Sequence, residues 1–309
     1  MRKSRIDHNK NLELLHRYAK HPLRYRPIFV LGPPRCGSTL LYQAMLHRYN
    51  FSYFHNIMMK YKYSIALHTY KNIDPYATYN SDYTSDHGQT NNKSGPHEAW
   101  PFWRRFYPRM THDYIDGHKL KEEEIFEIEN TIKFLVDFFN APFFSKNMEM
   151  SLRLKSLQKI FPEALYIILK RDPRGIASSI LSARIKYFNN PDIWWSMRPK
   201  EYISIRNKTY TEQIALQIVY VYKAIYGDLI NKSNCISLYY EDFCKYPQTE
   251  LKKIIDFLNQ KDIPISENNK TMPEKFSYKN KFLFDDAELD KIHQVFDKNG
   301  LLDSVSYNI

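Results

Sequence analysis

The stretch "RPIFVLGPPRCGSTLLYQAML", Arg26 to Leu46, decides the fold. It begins as a short apolar run, turns through Gly and Pro, and continues as an apolar helix pattern. Gly32 and Gly37 have the G-x-x-x-x-G spacing of a phosphate-binding loop, and Ser38–Thr39 follow. In a nucleoside-triphosphate loop a lysine comes right after the second glycine and reaches the outer phosphates. Here Ser38 stands in its place. A Gly-rich turn aims backbone N–H groups at one point, and the helix N-terminus adds its positive end. Arg35 offers a bidentate cationic fork, and the Ser38 and Thr39 hydroxyls add donors. Such a loop suits one phosphate better than a β/γ pair. The alternative is an ordinary strand-to-helix turn with no ligand.

Outward from this unit, β-like runs recur at Ile28–Leu31, Pro142–Ser145, Leu165–Leu169 and Cys235–Tyr239. Helical patterns cover roughly Gly37–Tyr49, Glu122–Asn140, Leu152–Phe161, Arg174–Tyr187, Thr209–Ile230 and Thr249–Asn259. Continuous apolar strands alternating with helices predict an α/β fold, a parallel sheet covered on both faces. Residues 51–120, rich in Tyr, His and Asn, and the polar stretch 261–284 interrupt the alternation. Insertions beside the strand ends of such a sheet are where substrates are gripped. The expectation is one domain over 1–309, with a core at about 26–260, an acceptor lid at about 51–120 and a C-terminal helical extension at about 261–309.

With 309 residues and 43% hydrophobic content, the chain can bury a substantial core. The formal net charge of +11 favours an anionic partner such as a nucleotide, a nucleic acid or an acidic membrane. It fits a solvated basic surface equally well. Cys36, Cys235 and Cys244 have neither disulfide nor zinc spacing, which points to a reducing compartment. The charged N-terminus lacks an apolar leader segment, and no run is long enough to span a membrane. The expectation is a cytoplasmic protein.

A second signature is "FPEALYIILKRDPRGIASSIL", Phe161 to Leu181. An apolar strand ends at a basic, acidic and Pro-bearing turn that opens a helix. Arg171 at the strand end and Ser179 two turns into the helix can converge on a second phosphate. A surface turn capping an ordinary helix would read the same way.

Together these motifs resemble the sulfotransferases that use 3′-phosphoadenosine-5′-phosphosulfate (PAPS), in particular their bacterial-type branch. That family has a P-R-[ST]-G-[ST]-T-L-L loop for the 5′-phosphosulfate and an R-D-P-R…S element for the 3′-phosphate. The loop here reads "PRCGSTLL", departing only at Cys36, and the second element reads "RDPRGIASS". A third stretch, "LYYEDFCKYPQTELKKIIDFL", is similar to the family's Y-E-D…P…L…F-L segment, whose tyrosine, here Tyr240, lies near the adenine. The matches keep their order over residues 26–260. The resemblance implies a P-loop-NTPase-like fold and a nucleotide site of Arg35, Cys36, Gly37, Ser38, Thr39, Leu40, Arg171, Ser179 and Tyr240. PAPS would be the co-substrate, and no metal is expected.

By the same resemblance, "FFSKNMEM" places Lys146 at the sulfonate. In animal-type members this segment is K-T-H, and its histidine is the base; here Met148 holds that position and cannot accept a proton. "GPHEAWPFW" is similar to an acid-bearing lid segment of the bacterial branch, which makes Glu98 the matched base, beside His97. Read alone, Glu98 is also an ordinary acid in the first turn of a helix. His55 and Glu149 are further candidates, and "YKNKF", Tyr278 to Phe282, is the nearest match to the branch's C-terminal nucleotide clamp. The implied reaction moves a sulfonate in line to a hydroxyl or nitrogen of a small polar acceptor, such as a bacterial metabolite. Loop N–H groups, Arg35 and Lys146 would stabilise the leaving phosphate. Two other classes remain open. One is a P-loop kinase or NTPase, which would need the missing lysine. The other is a basic nucleic-acid-binding module, hinted at by "WPFWRRFY" and "YPRMTHDY".

Overall fold

The computed structural model describes residues 2–86, 88–108, 110–116, 120–278 and 282–301. Four strands form one parallel sheet: β1 (Ile28–Leu31), β2 (Phe144–Lys146), β3 (Leu165–Lys170) and β4 (Cys235–Tyr239), in the order β2-β1-β3-β4. The helices are α1 (Arg2–Tyr18), α2 (Ser38–Arg48), α3 (Ile65–Asn72), α4 (Trp100–Trp103), α5 (Glu122–Phe139) and α6 (Leu154–Ile160). They continue as α7 (Pro173–Phe188), α8 (Tyr202–Ile205), α9 (Tyr210–Asp228), α10 (Tyr240–Lys245), α11 (Pro247–Asn259) and α12 (Asp286–Lys298).

The strands are apolar because helices cover the sheet: every residue of β1 is buried, as are all but the last of β3. β4 departs from that expectation. It is one of the two edge strands and only Leu238 in it is buried, whereas β2 at the other edge is buried throughout. The second strand starts two residues later than its sequence pattern suggests. Ile28 pairs with Phe144 and Val30 with Lys146, which draws Lys146 onto the sheet. The expected helix over 152–161 also divides. A 3₁₀ turn, Met148–Leu152, comes first, and Arg153 (φ −125°) separates it from α6.

The 51–120 region contributes much of its length to the core. Phe54, Phe102, Trp103 and Tyr107 are fully buried, and an antiparallel bridge joins His55 to Pro96. The N-terminal segment, charged as it is, forms α1, which buries Leu15. At the other end α12 packs on α9 through Ile292 and Phe296, with Asp285 as its N-cap. Cys36, Cys235 and Cys244 are free thiols.

This topology aligns four chain segments at one end of the sheet. β1 runs into the glycine loop, β2 ends at Lys146, β3 runs into Arg171, and β4 runs into Tyr240. The chain leaves β1 toward β2 and leaves β3 toward β4. The direction of winding therefore reverses between β1 and β3, and a crevice opens at that switch point.

Candidate active site

The loop from Gly32 to Gly37 is held from below by Ser151. Its hydroxyl accepts from the Gly32 N–H (3.0 Å) and donates to the Gly32 carbonyl (3.1 Å). Arg35 (φ 70°) and Gly37 (φ 93°) turn the backbone through the left-handed region. A Cβ on Gly37 would run into the Tyr240 ring, so only glycine fits there. No side chain caps the N-terminus of α2. The residues of that start, Gly37–Leu40, line a cavity of about 530 Å³. An uncapped helix start of this kind is an anion site when it opens onto a polar cavity.

Cations cluster on the β3 side of this cavity. Arg171 donates to the Arg35 carbonyl (2.8 Å), and Arg35 Nε donates to Ser179 Oγ (2.9 Å). The Arg171 guanidinium lies 4.8 Å from the centre of the Tyr240 ring, and Tyr278 meets that ring edge-on at 6.2 Å. Burial lowers the pKa of Arg35, and the neighbouring Arg171 lowers it further. Two guanidiniums beside one hydroxyl are best neutralised by a dianion. Asp172, by contrast, is occupied by Arg174 and by its own helix start.

Lys146 stands on the β2 side, 2% exposed. Its ammonium donates to Thr39 Oγ1 (2.8 Å) and forms an ion pair with Glu98. Asn147 fixes the Glu98 backbone by donating to its carbonyl (2.7 Å). Ala99 follows in the left-handed region (φ 54°), and its N–H donates to His97 Nδ1 (2.8 Å). That bond places the proton of a neutral His97 on Nε2. Burial, and then Lys146, push the His97 pKa down to about 4. Met148, in the position of the animal-type histidine, accepts a hydrogen bond from Ser38 Oγ at 3.3 Å and lines the cavity.

Among the other base candidates, Glu149 is held by Arg104 (2.7 Å) and Arg153 (3.0 Å). His55 lies outside the cavity, stacked between Tyr53 and Phe139 at 4.2 and 5.2 Å. Cys36 is fully buried under the loop, and burial raises its pKa. Within the "YKNKF" segment, Lys279, Asn280 and Lys281 lie outside the described residues, while Phe282 faces the Arg174 guanidinium at 5.3 Å. In "WPFWRRFY", Arg105 is spent on a bidentate bond to Glu127 (both 2.7 Å), so half of that basic pair serves the interior.

Several contributors escape sequence reasoning. Ser151 carries no motif. Gly88 approaches the Lys146–Glu98 pair from a loop that Asp86 ties to Lys186 on α7. Arg104, Trp194 and Arg198 line the same cavity as the loop. Only Arg104 has a cue, the aromatic and basic residues of the "WPFWRRFY" stretch. Among the described residues no group of three or more His, Cys, Asp or Glu side chains could hold a metal, and no helix is long and apolar enough to cross a membrane.

Residues 27–264 match a family model described as "Sulfotransferase family". Among solved structures, sulfotransferase STF9 from Mycobacterium avium superposes with a TM-score of 0.60 at 14% identity, over 98% of this chain and 82% of that one. Sulfotransferase STF1 from Mycobacterium tuberculosis H37Rv gives a TM-score of 0.52 at 12% identity, over 84% and 73%. At these identities the likeness is one of fold, a P-loop-NTPase-like parallel sheet. No curated protein matches the sequence.

Proposed function

The chain belongs to the sulfotransferase family, and from that premise we propose that it transfers a sulfonate from PAPS to a hydroxyl or nitrogen of a small polar acceptor. The observation that carries this reading is the pair of anion sites flanking one loop. The uncapped start of α2 with Lys146 suits a 5′-phosphosulfate. Arg35, Arg171 and Ser179 suit a separate 3′-phosphate, with Tyr240 beside them for the base. Arg35 reaches Ser179, so it serves the 3′-phosphate through its side chain and the 5′ side through its backbone.

PAPS supplies an activated sulfonate on a bisphosphate leaving group. In the proposed reaction the S–O bond to the 5′-phosphate breaks as the acceptor oxygen or nitrogen bonds to sulfur. Loop N–H groups and Lys146 neutralise the charge that develops on the leaving oxygen. Glu98 takes the acceptor's proton. His97 fits that task less well, because its Nδ1 accepts from Ala99.

Calorimetric titration with 3′,5′-adenosine bisphosphate, the displaced product, and separately with ATP–Mg²⁺ tests the proposal. The bisphosphate should bind more tightly. Tighter binding of ATP–Mg²⁺ would return the chain to the kinase or NTPase class.

A further inference from the structure

The lining of the cavity includes two arginines, Arg104 and Arg198, that the proposed donor site does not use. Resting on the reading above, we infer that the acceptor bears an anionic group, a carboxylate or a phosphate, which Arg198 binds with help from Arg104. Arg198 is fixed at its backbone by a two-bond clasp: Asp113 N–H donates to the Arg198 carbonyl, and Arg198 N–H donates to Asp113 Oδ2, both at 2.8 Å. Its guanidinium lies against the Tyr202 ring at 5.0 Å. Arg198 Nε is buried without a hydrogen-bond partner, and the guanidinium donates to no described residue. A cation held flat against a ring keeps its N–H edge free for a bidentate anion.

Arg104 repeats the arrangement. Its guanidinium stacks on Trp100 at 4.9 Å, one Nη donates to Glu149, and Nε is buried and unpartnered. Glu149 does not neutralise this lining, since it is shared with the fully buried Arg153. Both arginines line the same cavity as Glu98 and Lys146, so an acceptor held there by its anion can present its nucleophile to Glu98. Trp100 and Trp194 line the same cavity and give a flat ring a surface to lie on.

The experiment titrates the protein, with and without 3′,5′-adenosine bisphosphate, with three matched phenols followed by tryptophan fluorescence and calorimetry. These are 4-hydroxybenzoate, 4-hydroxyphenyl phosphate and the neutral isostere 4-hydroxybenzamide. At least one anion should bind roughly tenfold to hundredfold more tightly than the amide. Raising the ionic strength should narrow the gap. Which anion wins separates carboxylate from phosphate recognition. Arg198→Gln should remove the preference and Arg198→Lys should restore part of it, both with unchanged bisphosphate affinity. The inference is overturned if the amide binds as well as both anions, if none of the three binds, or if the preference survives Arg198→Gln. Loss of bisphosphate binding in the unaltered protein would instead fault the donor reading, and the two failures are read separately. If Arg198→Gln does not fold, the salt dependence of the unaltered protein decides.

Discussion

Lys146 and Glu98 form a direct ion pair in which the ammonium is 2% exposed and the carboxylate 26% exposed. In the proposed reaction the buried partner meets the leaving phosphate and the accessible one meets the acceptor. There Lys146 turns toward developing charge on the donor and releases Glu98 as a stronger base. Glu98→Gln keeps shape and hydrogen bonding but cannot take a proton. It should lower turnover by about 10²–10⁴-fold while leaving bisphosphate affinity nearly unchanged. His97→Ala should lose less. A dead His97→Ala beside an active Glu98→Gln would reverse the two roles.

Arg171 reads the second anion site in the proposed complex. Arg171→Ala should weaken a 3′-phosphorylated nucleotide by about 1.5–3 kcal/mol and its 3′-dephospho analogue far less. Arg171 also supports Tyr240 and the Arg35 carbonyl, so some general loosening is expected in both titrations. Equal weakening of both ligands would mean that the side chain holds the loop and does not read the phosphate.

What the sequence made legible follows from where the contacts come from. Gly37, Ser38, Thr39, Arg171 and Tyr240 all lie within eight residues of a strand end, so each sits in a short contiguous motif beside an apolar run. The four strands were legible for the same reason. Ser151 closes on Gly32 across 119 residues of chain, and nothing local marks a serine for that task. Arg198 is placed by Asp113, 85 residues away, in a connection with no strand or long helix to give it a period. Helix α1 was hidden by its composition: it buries little beyond Leu15 and Asn11, too narrow an apolar stripe to stand out among its charges. The strand carrying Lys146 begins two residues after its apolar pattern does, because Pro142 and Phe143 continue the pattern whereas pairing with β1 sets the boundary at Phe144.

His55 governs part of the acid stability. Burial between aromatic rings pushes its pKa from the ordinary 6.5 down to about 3, and Nε2 has no partner among the described residues. Between those values the unfolded chain binds a proton that the folded chain refuses, so stability rises with pH across the interval. The contribution is fully present above about pH 6.5 and is lost progressively on acidification toward about pH 3. His55→Phe removes this titration and keeps the ring packing. The Tm of the variant should fall less steeply than that of the parent as pH drops from 6.5 toward 4, with no loss near pH 7.5. Parallel curves for the two proteins would exclude His55 as a source of acid lability.

Two glycines touch the site in different ways, and their alanine variants should fail differently. At Gly37 the added Cβ would overlap the Tyr240 ring itself, a rigid group that Arg171 holds at 4.8 Å from its centre; Gly37→Ala should therefore lose bisphosphate binding. At Gly88 (φ 97°) the Cβ would meet only movable ends: Glu98 Oε1 at 2.9 Å, Lys146 Nζ at 3.4 Å and Thr39 Oγ1 at 3.7 Å. The left-handed backbone there should cost Gly88→Ala about 1–2 kcal/mol of local strain. Because the nearest contacts are with the Lys146–Glu98 pair, the displaced group is the proposed base. Turnover should fall severalfold at saturating donor while bisphosphate affinity is kept. A Gly88→Ala protein that loses nucleotide binding but retains turnover per bound donor would show that this loop holds the nucleotide and leaves the base alone.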